Sequence, residues 1–178
     1  NQFTDSETGK VIKIPPTLLI SAIGVIDDVA KCVTMDFKNK NSRVVLIRAE
    51  KPYDLPTLAR LHRTMSTLVA SGKFRAVHDV SDRGYPVAAA EMCIASGIGL
   101  IVSNQLFASP DAYEERPGAY VAELATWDDV EAITHAFAGV ARVEELGITQ
   151  AYAKLTVTTE KTRVTDFAIE DLTKAWRD

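Results

Sequence analysis

An apolar run at residues 74–77 (FRAV) gives way to the polar stretch HDVSDRG at 78–84, and then to the alanine-rich YPVAAAEMCIAS at 85–96. Strand, tight turn and buried helix in that order predict a layered α/β unit. The polar turn should then lie on the rim of a sheet, where ligands usually bind. The chemistry-bearing residues of this chain are concentrated there.

The rest of the chain follows the same grammar. LLISAIGVI at 18–26 is apolar and rich in branched residues, so it predicts a buried strand, with Pro15 and Pro16 barring a helix from running into it. Asp27 and Asp28 should open a short helix through Ala30 and Cys32. A second strand is expected at 43–49 (RVVLIRA). Leu58, Leu61, Met65, Leu68 and Val69 recur at helical spacing, which predicts an amphipathic helix over 55–70 ended by Gly72. Further strands are expected at 98–103, 119–125, 141–146, 153–158 and roughly 163–167. A short helix and a loop should fill 105–115. Thr126 and Asp129 have capping-box spacing before a helix through Val130, Ile133 and Phe137, and 169–176 closes the chain as a helix. The expected fold class is α/β (α+β): a layered domain with a mixed, largely antiparallel sheet whose helices cover one face. The polar opening NQFTDSETGK reads as a linker or extended arm, as of a piece of something larger. The division is therefore 1–16 for the arm and 17–178 for the domain.

With 178 residues, the chain has room for one domain with a sizeable core. Twenty Lys and Arg stand against 24 Asp and Glu, a net charge of −4, with no basic block or aromatic-basic interleaving. A nucleic-acid groove is not expected. No apolar run reaches the roughly 20 residues a membrane span needs, and nothing resembles a signal peptide. Cys32 and Cys93, unrelated in spacing, read as reduced core residues of a cytoplasmic protein.

Within the polar turn, Asp79 and Asp82 are three apart and could share a small site. Carboxylates on a loop bind Mg²⁺ or phosphate-bound Mg²⁺ through hard oxygen ligands. The structural alternative is that Asp79, Ser81 or Asp82 caps the following helix. The two are compatible, since a helix start also attracts anions. Arg83 could meet a phosphate or simply be solvated. His78 could act as a base, or hydrogen-bond at the rim. His62 and His135 lie in helices, and the three histidines lack metal-ligand spacing. Glu91 is the one acid in an apolar helix, so it should reach the rim or pair with a cation. Ser96-Gly97-Ile98-Gly99 reads as helix termination, and Glu115-Arg116-Pro117-Gly118 as a type II turn before a strand.

HDVSDRGYPVAAAEM at 78–92 resembles the HDxSDGGL…LAEM signature of the carboxy-terminal domain of the phosphoribosylformylglycinamidine synthase family (synthetase subunit), in the aminoimidazole ribonucleotide synthetase superfamily. PPTLLISAIGVIDDV at 15–29 is similar to that family's P-T-L-x-I-S entry strand. ERPGAYVAEL at 115–124 is similar to its E-x-P-G-R-x-x-V-E-V strand, and IEDLTKAW at 169–176 to its closing E-x-L-x-x-A-W helix. The chain departs from the pattern in four places. Arg83-Gly84 stands where the family has paired glycines, Tyr85 where it has an apolar residue, and Ala119 where it has arginine. The glycine-rich segment between the second strand and the amphipathic helix is absent, so Arg48-Ala49-Glu50 runs almost directly into Lys51-Pro52-Tyr53-Asp54.

The resemblance implies one domain of an ATP-dependent carbon-nitrogen ligase of purine biosynthesis, inactive as an isolated fragment. Formylglycinamide ribonucleotide would be its substrate, and ATP and Mg²⁺ its cofactors in the complete enzyme. Its partners would be an amino-terminal synthetase half and a glutaminase supplying ammonia. A homodimer of the isolated domain stays open. On this reading Ser81, Asp82, Arg83 and Gly84 contact the nucleotide, Asp79 and Asp82 contact the metal, and His78 is the one catalytic candidate. Two alternatives remain: a structural or interaction domain that has lost nucleotide binding, motivated by Arg83, or a selenophosphate, thiamine-phosphate or hydrogenase-maturation type enzyme of the same superfamily.

Overall fold

The computed structural model describes residues 2–13, 18–26, 28–127, 129–159 and 163–177. The opening segment, expected as a linker or extended arm, contains two short paired strands. β1 (Gln2–Thr4) and β2 (Val11–Lys13) pair antiparallel as a two-stranded sheet of their own. Their turn is set by Asp5, whose Oδ1 accepts the Glu7 and Thr8 amides at 2.9 Å each.

Residues 18–26 depart from the expectation of a buried strand. They have no regular structure and their apolar side chains face solvent; among the described residues no strand pairs with them. The flanking residues 14–17 and 27 lie outside the described set. Asp28 accepts the Ala30 amide at 3.0 Å and caps a single 3₁₀ turn, Val29–Lys31. Cys32 is exposed, against the expectation of a core thiol, because that turn buries none of its residues. Cys93 is a free core cysteine as expected, and burial pushes its thiol up to about 12.

The domain proper consists of β3 (Arg43–Ala49), α1 (Leu55–Ala70), β4 (Phe74–Asp79), α2 (Gly84–Ser96), β5 (Gly99–Ser103), α3 (Asn104–Phe107), β6 (Ala119–Leu124), α4 (Asp129–Ala136), β7 (Ala141–Gln150), β8 (Lys154–Thr158), β9 (Arg163–Ala168) and α5 (Ile169–Arg177). Seven strands form one sheet in the order β4-β6-β3-β7-β5-β8-β9. Every neighbouring pair is antiparallel except β5–β8. The sheet is mixed and largely antiparallel, as the patterns predict.

The expectation that helices cover one face is corrected. Successive residues of β3 enter two separate cores. Val44 and Leu46 pack with Ala88, Ala89, Met92 and Cys93 of α2 and with Ile169 of α5. Val45 and Ile47 pack with Leu61 and Met65 of α1 and with Ile133 and Phe137 at α4. An uninterrupted apolar strand is buried on both faces, so helices must lie on both.

The helix boundaries have local causes. Asp54 caps α1 by accepting the Thr57 amide at 2.9 Å and its hydroxyl at 2.6 Å. Gly97, at φ +69°, ends α2 with the left-handed residue such ends favour.

Candidate functional site

His78 and Asp79 end β4, the strand at one margin of the sheet, where Thr34 forms only an isolated bridge with Ala76. The chain then turns through residues 80–83 into α2. Ser81 O accepts the Gly84 amide at 3.1 Å, which closes the turn. Arg83 (φ +62°) and Gly84 (φ +74°) are both left-handed. At Arg83 that conformation costs about 1–2 kcal/mol relative to glycine's freedom. Gly84 has a second reason to be glycine: a Cβ there would lie 2.0 Å from Ala112 O. The Ala112 carbonyl passes so close because it accepts the Tyr85 amide at 3.2 Å. A strand-to-helix turn is thus clamped beneath the 108–118 loop.

The capping alternative for the turn's acids is not what the structure shows. Arg83 is the residue preceding α2, and no side chain accepts a hydrogen bond from the helix's first amides. Asp82 and Arg83 project outward instead, with side chains 92% and 79% exposed, 4.0 Å apart. The Arg83 side chain leaves the rim toward solvent. Asp79 is also largely exposed and lies 3.3 Å from His78 Nδ1. Among the described residues no cluster of three or more His, Cys, Asp or Glu could hold a metal ion. Two outward carboxylates suit a Mg²⁺ that arrives with phosphate oxygens and water, and do not suit a metal held by protein alone.

Glu91, expected to reach the rim or find a cation, bridges two elements. Its Oε2 is 2.9 Å from His78 Nε2, and its Oε1 accepts the Trp176 indole N–H at 3.1 Å. His78 is consequently held between two carboxylates. Trp176 on α5 completes this group and was not anticipated as a site residue, although it closes the last quoted motif. His62 lies apart, with Nδ1 2.7 Å from the Tyr120 hydroxyl, and His135 is exposed on α4. The Pro117-Gly118 turn is as expected, with Gly118 at φ +72°.

A second polar group beside the turn escaped the sequence reading. Arg48, at the end of β3, donates to Asp111 at 2.8 Å and to Glu144 at 2.5 and 3.1 Å, and lies over the Tyr85 ring at 5.8 Å. Burial would lower the Arg48 pKa, but Glu144 and Asp111 outweigh it and raise it. The Asp111 carboxyl is held below its ordinary value chiefly by the Ser109 hydroxyl, with Arg48 and Arg116 adding to the effect. Arg48, Asp111 and Arg116 line a polar cleft of about 520 Å³ with Glu50, Lys51 and Arg142. Lys51 and Arg142 make no ion pair among the described residues, so they are the cations most free to meet an anionic ligand. The short β3–α1 connection, where a glycine-rich segment was missed, forms one wall; Asp54 N donates to Lys51 O at 3.1 Å within it.

Comparison with known proteins now identifies the family. The family model described as AIR synthase related protein, C-terminal domain, matches residues 33–158, so the chain belongs to that family. The phosphoribosylformylglycinamidine synthase subunit PurL of Erythrobacter litoralis is 30% identical over 160 residues, covering 72% of this chain and 21% of that protein. The PurL of Deinococcus radiodurans is 28% identical over 214 residues, covering 100% of this chain and 27% of its own length. The chain thus spans roughly a quarter of the curated relatives it matches. Among solved structures, T. maritima PurL complexed with ADP aligns at a TM-score of 0.67 and 14% identity, over 81% of this chain and 27% of that one. Hydrogenase maturation protein HypE in complex with ATP aligns at 0.58 and 10%, over 81% of this chain and 56% of that one. At such identities these structures establish the fold alone. No helix of the described residues is long and apolar enough to cross a membrane.

Proposed function

We propose that this member of the AIR synthase related family is the carboxy-terminal domain of an ATP-dependent carbon-nitrogen ligase. The complete enzyme converts formylglycinamide ribonucleotide to formylglycinamidine ribonucleotide in the cytoplasm. The observation that carries this reading is the 30% identity to a PurL subunit across 72% of the chain. The amide oxygen of the substrate attacks the γ-phosphorus of ATP, releasing ADP and leaving an iminophosphate. Ammonia from a glutaminase then adds to the activated carbon, and phosphate leaves with the former amide oxygen.

In this reading the Ser81–Gly84 turn faces the phosphates. Its backbone, left-handed at Arg83 and Gly84, lies close under Ala112, and Asp79 and Asp82 would be the residues to hold Mg²⁺. Bound Mg²⁺ would supply charge neutralisation of those oxygens. His78, between Asp79 and Glu91, is a positioned imidazole able to take or hold a proton at the rim. The amino-terminal synthetase half supplies what this domain lacks, so residues 1–178 alone should show no turnover. The division into an arm at 1–16 and a domain at 17–178 is part of this proposal.

The test is an assay with ribonucleotide substrate, Mg·ATP and ammonia on the synthetase polypeptide that carries this chain. One ADP per amidine is expected; a folded polypeptide that forms no amidine removes the proposal. A second reading, a domain that has lost nucleotide binding, is favoured by Arg83 standing where the family's pattern has glycine. Calorimetric titration of Mg·ADP, with the other half blocked, separates the two. Binding weakened by Asp82→Asn supports the ligand site, and no binding in either protein supports the structural role.

A further inference from the structure

Arg48 and Arg142 stand directly opposite each other on β3 and β7. Register partners share a face of the sheet, and like charges so placed repel and weaken the pairing. Arg48 has its compensation, because Glu144 and Asp111 hold it. Arg142 has none: it is exposed and makes no ion pair among the described residues. A lone arginine is ordinarily a solvated one. Here it is kept beside a second guanidinium in a chain whose net charge is −4, so general surface charge does not account for it.

A third cation completes the group. Lys51 lies in the β3–α1 connection, whose backbone is pinned by three hydrogen bonds. The Ala49 amide donates to Gly118 O at 2.9 Å, the Glu50 amide to Val140 O at 3.0 Å and the Asp54 amide to Lys51 O at 3.1 Å. Arg48, Lys51 and Arg142 line the same cleft of about 520 Å³. The neighbouring carboxylates are mostly engaged: Asp111 with Arg48 and Arg116, Glu144 with Arg48, and Asp54 with Thr57 as the cap of α1. Glu50 is the one lining carboxylate without an ion pair among the described residues, and it cannot neutralise both Lys51 and Arg142.

We infer that this cleft is a binding site for a phosphoryl dianion, with Arg142 and Lys51 contacting its oxygens and Arg48 flanking them. A guanidinium offers two parallel N–H donors to two phosphate oxygens, and an ammonium meets a third as a point charge. A carboxylate has only two oxygens and would leave one of these donors unmatched. The bound anion would lie between the opposed arginines and remove their repulsion. The site shares no residue with the Ser81–Gly84 turn and does not rest on the proposed reaction. The phosphoryl group is either that of a sugar phosphate or inorganic phosphate itself.

Calorimetric titration with inorganic phosphate and with ribose 5-phosphate tests it, on the polypeptide that carries this chain and on its Arg142→Ala and Lys51→Ala variants. Each variant should bind about 10-fold or more weakly. Tighter binding of ribose 5-phosphate than of inorganic phosphate assigns the site to a sugar phosphate, and equal binding assigns it to the phosphoryl group alone. Without ligand, Arg142→Ala should melt no lower than the parent, because it removes a like-charge pair. Phosphate should raise the melting temperature of the parent and not of this variant. Phenylglyoxal labelling read by mass spectrometry locates the anion: phosphate should shield Arg142 and leave exposed Arg63 of α1 unchanged. Binding of neither probe, or unchanged affinity in either variant, overturns the inference. So does phosphate that shields Arg83 and not Arg142, since the anion then sits on the turn.

Discussion

Glu91 Oε2 lies 2.9 Å from His78 Nε2 while its other oxygen accepts the Trp176 indole N–H. One carboxylate therefore ties β4, α2 and α5 together at the rim. Glu91→Ala should cost about 1–3 kcal/mol by leaving polar groups without an acceptor, and Glu91→Gln less. Urea denaturation gives the stability. Faster amide exchange in α5 would identify the lost tie.

Gly84→Ala should cost about 2–5 kcal/mol, or prevent folding, because it combines a left-handed backbone with a 2.0 Å approach to Ala112 O. Arg83→Gly should be neutral or stabilise by up to about 1 kcal/mol, since relief of the backbone is partly offset by glycine's greater unfolded freedom. Thermal melts of the two variants should move in opposite directions.

How far the sequence reveals this molecule depends on the range of the interaction. The pattern RVVLIRA and the Leu58–Val69 spacing yield β3 and α1 with the boundaries the structure shows, because burial acts residue by residue along one element. The same uninterrupted RVVLIRA already implied helices on both faces. The rim turn was legible because its residues are consecutive. The Arg48 group was not: its partners Asp111 and Glu144 lie 63 and 96 residues away, and no local pattern links them. Residues 18–26 misled for a related reason. Their composition suits a buried strand, but composition carries no information about a pairing partner, and the segment is irregular and exposed.

Buried Glu123 accepts the Lys38 and Asn39 amides at 2.7 and 3.0 Å and so fixes the loop leading into β3. Glu123→Ala should cost about 2–4 kcal/mol, since two donors lose their acceptor at once. A lowered urea midpoint, with raised exchange at those two amides, checks it.

Burial pushes the Asp129 carboxyl up, but Lys73 at 2.7 Å and the Thr126 amide outweigh it and hold it below the ordinary 3.8. A lowered folded-state pKa gives stability that is present above the unfolded value and lost as pH falls through the folded one. Stability should therefore decline below about pH 4. Asp129→Asn should be less stable at pH 7 and show a shallower acid decline, read from melting temperatures between pH 2 and 7.

On the proposed function, ATP activates the substrate's amide oxygen in the polypeptide that carries this domain. Substrate carrying ¹⁸O in that amide, turned over with Mg·ATP and ammonia by the polypeptide bearing this chain, follows that oxygen directly. The expected result is one ¹⁸O in the inorganic phosphate for each amidine formed. Amidine formed with the label in water, or ATP cleaved with unlabelled phosphate, would contradict it.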